Sequence, residues 1–297
     1  MDVTARLDPA LRHLAGTRTD LSSEVLPDVR DGLNQRRAQE ADALDTAGVD
    51  VTDTRIGTVP VRVYRGHQGR APAVIYCHSG AFVLGNLDTD HRQCVELARG
   101  AECVVVSVDY RLAPEHPYPA AVVDVDTVYD AVIGGEFGVD PGRVAVAGSS
   151  AGAALAAGIA QRAGDRLVFQ LLHQPVLDDR PSPSKEEFAD TPGFDGPATD
   201  LMWRYYLGGT ARPDDAVPAA VSDLTGLPPA LITCSELDPL RDEAIDYALR
   251  LMWAGVATEL HVFPGTCHGF DAYLPDWDVS RRLFDMQAAA LRRVFRA

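Results

Sequence analysis

The stretch Arg143-Val-Ala-Val-Ala-Gly-Ser-Ser-Ala-Gly152 decides the fold. Its first half is a short apolar run of the kind expected for a strand covered on both faces. Its second half, Gly148-Ser149-Ser150-Ala151-Gly152, satisfies G-x-S-x-G, and an alanine-rich helical run follows at once. Strand, tight turn and helix form the context in which this motif carries chemistry. Ser150 then sits at a strained turn, where side chains at 148 or 152 would collide with neighbouring backbone. The helix behind it aims its free N–H groups and positive dipole end at the place where an oxyanion would form. Ser150 is the candidate nucleophile.

Short apolar runs recur on both sides of this segment. Strands are predicted over Val59–Arg65, Ala73–His78, Cys103–Asp109, Leu167–Gln174, Ala230–Ser235 and Glu259–Phe263, besides Arg143–Gly148. Helices are predicted over Asp90–Arg99, Pro119–Ile133, Ala151–Arg162, Arg241–Ala254 and Ser280–Phe295. In the fourth helix, Ile245, Leu249 and Trp253 recur at i, i+4 and i+8 and predict its buried stripe, with Gly255 stopping it. The alternation implies an α/β protein with a mostly parallel central sheet, helices on both faces, and ligands at the carboxyl ends of the strands. Two stretches break the rhythm. Residues 1–50 hold helix-like segments and no strand, and residues 178–228 are rich in Pro, Asp and Gly. The latter hold one short helix near Leu201–Leu207, capped by Thr199 or Asp200. Both stretches are expected to lie over one end of the sheet: an N-terminal cap segment, and a cap insertion in a catalytic domain of residues 51–297.

A serine hydroxyl needs a base, and the base needs an orienting group. Of eight histidines, His268 stands in Phe263-Pro-Gly-Thr-Cys-His-Gly-Phe270, just past the last predicted strand. That is the correct sheet edge, and the chain order Ser…acid…His places the base last. For the acid, Ser235-Glu-Leu-Asp-Pro-Leu240 follows a strand. Asp238 is preferred over Glu236 and Asp242, because the following proline makes a rigid turn and Asp242 is better placed to cap the next helix. The small-residue loop His78-Ser-Gly-Ala-Phe-Val-Leu-Gly-Asn86 would offer backbone N–H groups to the oxyanion, with the N–H of Ala151 as partner. Phe82, Trp203, Tyr206, Leu240 and Phe270 are candidate walls of the substrate pocket.

The chain carries 27 Lys and Arg against 43 Asp and Glu, a formal net charge of −16. Such a polyanion is repelled by nucleic-acid phosphates and anionic lipid surfaces, which argues against both as partners. Five dispersed cysteines, without a C-x-x-C pair, suggest buried thiols in a reducing compartment rather than disulfides or zinc ligands. The first residues lack a basic start followed by an apolar core, so no signal peptide is expected and a cytoplasmic location is. No run approaches the ~18 apolar residues that span a bilayer. No metal site is expected, since no His, Asp or Cys cluster has ligand spacing.

Five blocks, His78-Ser-Gly-Ala, Asp109-Tyr-Arg-Leu-Ala-Pro-Glu115, Gly148-Ser-Ser-Ala-Gly152, Asp238-Pro-Leu-Arg-Asp242 and His268-Gly-Phe270, stand in an order and spacing that resemble a known family. It is the hormone-sensitive-lipase-like family of microbial carboxylesterases, within the α/β-hydrolase fold, and the resemblance covers about residues 55–290. The resemblance implies a Ser150/Asp238/His268 triad and an oxyanion hole from the amides of Ser79, Gly80 and Ala151. It also implies a helical cap built partly from the N-terminus, short-chain acyl ester substrates, no cofactor, and a homodimer. Arg111 and Glu115 would tie down a structural loop. The family's His-Gly-Gly-Gly is here His78-Ser79-Gly80-Ala81, so the hole requires ordinary φ at Ser79 and Ala81. Ser149 replaces the family's usual Asp or Thr. Two alternatives use other functions: an amide, lactone or carbamate as substrate of the same residues, or a non-catalytic ligand receptor on the same scaffold. Such receptors lack the histidine that stands here at position 268.

Overall fold

A computed structural model describes residues 3–209 and 213–296. In chain order the elements are α1 (Val3–Arg6), α2 (Leu26–Ala43), β1 (Asp50–Ile56), β2 (Val59–Arg65), β3 (Ala73–Cys77), α3 (His91–Ala101), β4 (Val104–Val108), α4 (Ala120–Ile133), β5 (Val144–Ser149) and α5 (Ala151–Ala163). They continue with β6 (Phe169–His173), α6 (Pro183–Glu187), α7 (Gly196–Leu207), β7 (Ala230–Leu237), α8 (Arg241–Trp253), β8 (Thr258–Cys267), α9 (Phe270–Tyr273) and α10 (Asp278–Phe295). The eight strands form one sheet in the order β1-β2-β4-β3-β5-β6-β7-β8. From β4 through β8 every pairing is parallel, while β2 runs antiparallel to both of its neighbours.

Alternation along the central strands divides the core in two. Ile75, Val106 and Val146 point to the face covered by α4, α5 and α8, where Val125, Val128, Leu155 and Tyr247 meet them. Val74, Val105, Ala145 and Ala147 point to the other face, against Cys94, Leu97 and Ala98 of α3 and Leu291 of α10. Burial on both faces explains why these strands read as continuous apolar runs.

Strand β1 is a strand that periodicity missed, and the short helices α6 and α9 were not predicted either. The β1 sequence, Asp-Val-Thr-Asp-Thr-Arg-Ile, is mostly exposed and carries no apolar alternation. It forms by hairpin pairing with β2, with Asp53 opposite Arg62 and a bidentate ion pair between them at 2.6 and 2.9 Å. The stripe expected on α8 is also displaced. Ala244, Tyr247, Ala248 and Leu251 are buried, whereas Leu249 is 39% and Trp253 78% exposed. The small side chains of Ala244 and Ala248 let the helix approach the sheet, and that selects the neighbouring face over the one with larger residues. Helix α7 begins at Gly196, five residues before the predicted start. Its cap is Asp195, whose side chain accepts from the Ala198 N–H at 3.0 Å, rather than Thr199 or Asp200.

The two segments outside the α/β rhythm meet each other. Thr17 accepts a hydrogen bond from the Gly193 N–H at 3.0 Å. Arg6 of α1 pairs with Glu187 and Glu236. Arg30 of α2 donates to the carbonyls of Val83 and Ala113 and pairs with Glu115. Arg111 is held by Asp124.

Candidate active site

Ser150 occupies the turn between β5 and α5 with φ 54° and ψ −118°. This conformation costs on the order of 1–3 kcal/mol for a residue with a side chain. The surrounding backbone holds it, since the Ser150 N–H donates to the His173 carbonyl at 2.8 Å and its own carbonyl accepts from Val176. A Cβ on Gly152 would lie 2.0 Å from the Cys77 carbonyl oxygen, so the last position of the motif has room only for hydrogen.

Three side chains from distant parts of the chain converge here. The Ser150 hydroxyl donates to His268 Nε2 at 3.0 Å. The His268 Nδ1–H donates to Asp238 Oδ2 at 2.8 Å. Asp238 is fully buried, and its other oxygen accepts the Leu240 N–H at 2.9 Å. Burial alone would discourage a charged imidazole. The Asp238 carboxylate outweighs it through charge and hydrogen bond, with help from Asp271 and Glu243, and holds the His268 pKa above its ordinary 6.5. His268 follows β8 directly, because that strand runs to Cys267 instead of ending at Phe263. A register shift at Ser235/Leu237 brings Leu237 opposite Cys267. Glu236 turns away to Arg6 and the Gly265 N–H. Asp242 does not cap its own helix; it accepts the Ser184 N–H at 2.8 Å.

The loop after β3 differs from expectation at two points. The Ser79 N–H is not free: it donates to Asp90 Oδ2 at 2.7 Å, and the Ser79 hydroxyl donates to Asp90 Oδ1 at 3.0 Å. Ser79 is thereby removed from the set of amides available to an oxyanion. Ala81, required to have an ordinary φ, instead adopts φ 54°, and Phe82 follows at 59°. That left-handed pair turns the loop, and no hydrogen bond occupies the N–H of Gly80, Ala81 or Ala151 among the described residues. Gly80 itself has φ 133° and no space for a Cβ, which would lie 2.1 Å from the Leu84 carbonyl oxygen. His78 anchors the loop from below: its Nδ1–H donates to the Ser79 carbonyl at 2.8 Å, and its ring stacks on Tyr110 at 4.2 Å. Burial pushes its pKa down to about 4, so it stays neutral.

The candidate pocket walls separate into two groups. Phe82, Trp203 and Tyr206 form one buried aromatic cluster, with Phe82 stacked on Tyr206 at 3.9 Å and 5.9 Å from Trp203. Phe270 is not with them. It packs against Phe263 and Trp277 in a separate core that also contains Leu7 and Phe188. Leu240 is fully buried in the main core. The ring that does meet the imidazole is Phe194, 5.0 Å from His268, in the insertion between β6 and β7. No periodicity marks it in the sequence. Gln174 was also missed: at φ 45° it accepts the Gly269 N–H at 2.8 Å and so steadies the loop carrying His268. Among the described residues, no group of three His, Cys, Asp or Glu side chains is placed to share a metal ion.

A family model described as the alpha/beta hydrolase fold matches residues 74–272. Esterase LipI of Mycobacterium tuberculosis is 44% identical over 235 residues, covering 74% of this chain and 73% of its own length. Carboxylesterase NlhH of the same organism is 40% identical over 290 residues, covering 92% and 86%. In structure, esterase LipW from Mycobacterium marinum aligns with a TM-score of 0.97 at 55% identity, over 100% of this chain and 98% of its own. A bacterial heroin esterase aligns at 0.92 and 36% identity, over 99% of each chain. The chain belongs to the hormone-sensitive-lipase-like family of the α/β-hydrolase fold.

Proposed function

We propose that this protein is a serine carboxylesterase acting on short-chain acyl esters through an acyl-enzyme. The observation that carries this reading is the unbroken relay from Ser150 Oγ through His268 to Asp238, at 3.0 and 2.8 Å. Ser150 attacks the ester carbonyl while His268 Nε2 takes its proton. The tetrahedral oxyanion is met by the N–H groups of Gly80, Ala81 and Ala151, each such donor typically contributing about 3 kcal/mol. His268 then gives the proton to the departing alcohol, and activates the water that releases the acid. The relatives LipI and NlhH carry the names esterase and carboxylesterase, which supports this reading.

His268 must be neutral to act as base. Because its pKa is raised, protonation sets in above the ordinary 6.5 as the pH falls. The acid limb of kcat/KM against pH is therefore expected above 6.5; a limb well below it would mean that Asp238 does not act on the imidazole.

Residues 1–50 and 178–228 serve as the cap of a catalytic domain beginning near residue 51, a reading supported by the Thr17–Gly193 bond and by Phe194 against His268. Phe82, Trp203 and Tyr206, packed on one another, are the candidate wall on the acyl side. The test is a p-nitrophenyl ester series from acetate to decanoate. Acetate to hexanoate should show the highest kcat/KM, and a long-chain optimum would overturn the short-acyl reading.

The outer edge of β8 and the exposed Leu249, Met252, Trp253 and Val262 support a homodimer through that side. Light scattering should give twice the 31.9 kDa chain mass. The five free, buried cysteines support a cytoplasmic location. Among the described residues no helix is long and apolar enough to cross a membrane.

A further inference from the structure

Next to the relay stands a second histidine–carboxylate couple that takes no part in the proton transfers. His173, the last residue of β6, is buried, with 2% of its surface exposed. Its Nε2 lies 3.1 Å from Asp271 Oδ1, and its Nδ1 lies 2.8 Å from Thr233 Oγ1. An ionised carboxylate only accepts hydrogen bonds, so the Nε2–H donates to Asp271. Nδ1 of the neutral ring then accepts from the hydroxyl of Thr233, which faces His173 directly in the β6–β7 register. Two bonds at opposite ends of the ring fix its tautomer and its orientation.

The two halves of His173 serve different members of the relay. Its carbonyl accepts the Ser150 N–H at 2.8 Å and so anchors the turn of the nucleophile. Its side chain anchors the base, because Asp271 stands three residues after His268, in the single turn of α9. The chain between them is held as well: Gly269 is bound through Gln174, and the Phe270 ring meets the His173 ring edge-on at 6.1 Å. Asp238 grips the imidazole of His268 through one hydrogen bond to Nδ1, about which the ring can still swing and carry Nε2 away from Ser150. The tie at Asp271 restrains the backbone from which that ring hangs. A misplacement of reacting groups by about 1 Å costs on the order of a hundredfold in rate.

We propose that His173, acting with Asp271, is a positioning residue for the ester hydrolysis: it keeps His268 within bonding distance of Ser150 by tying the loop of the base to the residue that anchors the nucleophile. The inference rests on the esterase reading above.

The experiment measures kcat and KM on p-nitrophenyl acetate at a pH above the acid limb, where His268 is neutral in every variant, beside thermal unfolding of each. H173A keeps the carbonyl that holds Ser150 and releases only the loop of the base, and D271A cuts the same tie from its other end. Each should lower kcat by about tenfold to a hundredfold, with KM within about twofold of wild type. The double variant H173A/D271A should lose no more than the worse of the two, since both remove one link. D271N keeps an oxygen to accept the His173 Nε2–H and should retain at least about a third of the wild-type kcat. T233V preserves the shape of the strand but leaves Nδ1 unpaired, and should lower kcat by about threefold. Folded alanine variants within about twofold of wild-type kcat, losses that multiply in the double variant, or D271N falling as far as D271A would each overturn the inference while leaving the esterase reading intact. If the alanine variants do not fold, a wild-type kcat in T233V would overturn it. A folded wild-type protein that does not hydrolyse the ester would overturn both.

Discussion

Ser150→Ala is expected to lower kcat roughly a millionfold, to the residual rate supplied by binding and the oxyanion-stabilising amides. The size follows from the removal of the atom that forms the acyl bond, for which the relay has no substitute. Stability should change little. Alanine faces the same left-handed backbone as serine, and both anchoring bonds, to the His173 carbonyl and from the Val176 N–H, are made by the main chain. Initial rates on p-nitrophenyl acetate, beside thermal unfolding of the same preparation, would check both halves. A variant keeping a hundredth of the activity would exclude Ser150 as nucleophile.

Asp238→Asn is expected to lower kcat by about four orders of magnitude at neutral pH. The shape is conserved, and the asparagine oxygen can still accept the Leu240 N–H that Asp238 Oδ1 accepts at 2.9 Å. What changes is the partner offered to His268 Nδ1. An amide NH2 there favours the tautomer that carries its proton on Nε2, which cannot receive the Ser150 proton. The carboxylate that raises the imidazole's pKa is also gone, so the remaining activity should show its acid limb at lower pH than the wild type. A pH profile of both proteins would decide it. An unshifted limb with an intact rate would assign the orienting role elsewhere.

The parts of this fold that were legible in the sequence are those where one local rule dominates. Buried parallel strands must be apolar on both sides, and β3, β4, β5 and β7 read accordingly. A serine between two positions that admit only small residues announces a tight turn before any coordinates exist. Strand ends and chain order point to Asp238 and His268, and the structure brings them into hydrogen-bond contact with Ser150 in series.

What escaped was decided by tertiary contacts that leave no periodic trace. Strand β1 is polar and exists because β2 accepts it. The buried face of α8 depends on where two alanines allow a close approach. Ser79 and Ala81 differ from the family pattern in ways whose consequence depends on Asp90, eleven residues away, which takes the Ser79 amide. Phe194 reaches His268 from a stretch without helical or strand rhythm.

Strand β8 is at once the rim of the sheet and the mount on which His268 stands. The opposite rim, β1, is polar, exposed, and separated from that mount by the full width of the sheet. Immobilising the protein on a solid support is therefore not neutral to orientation. Attachment through β1 leaves the imidazole's footing mechanically idle, whereas attachment through β8 loads the strand that carries the base.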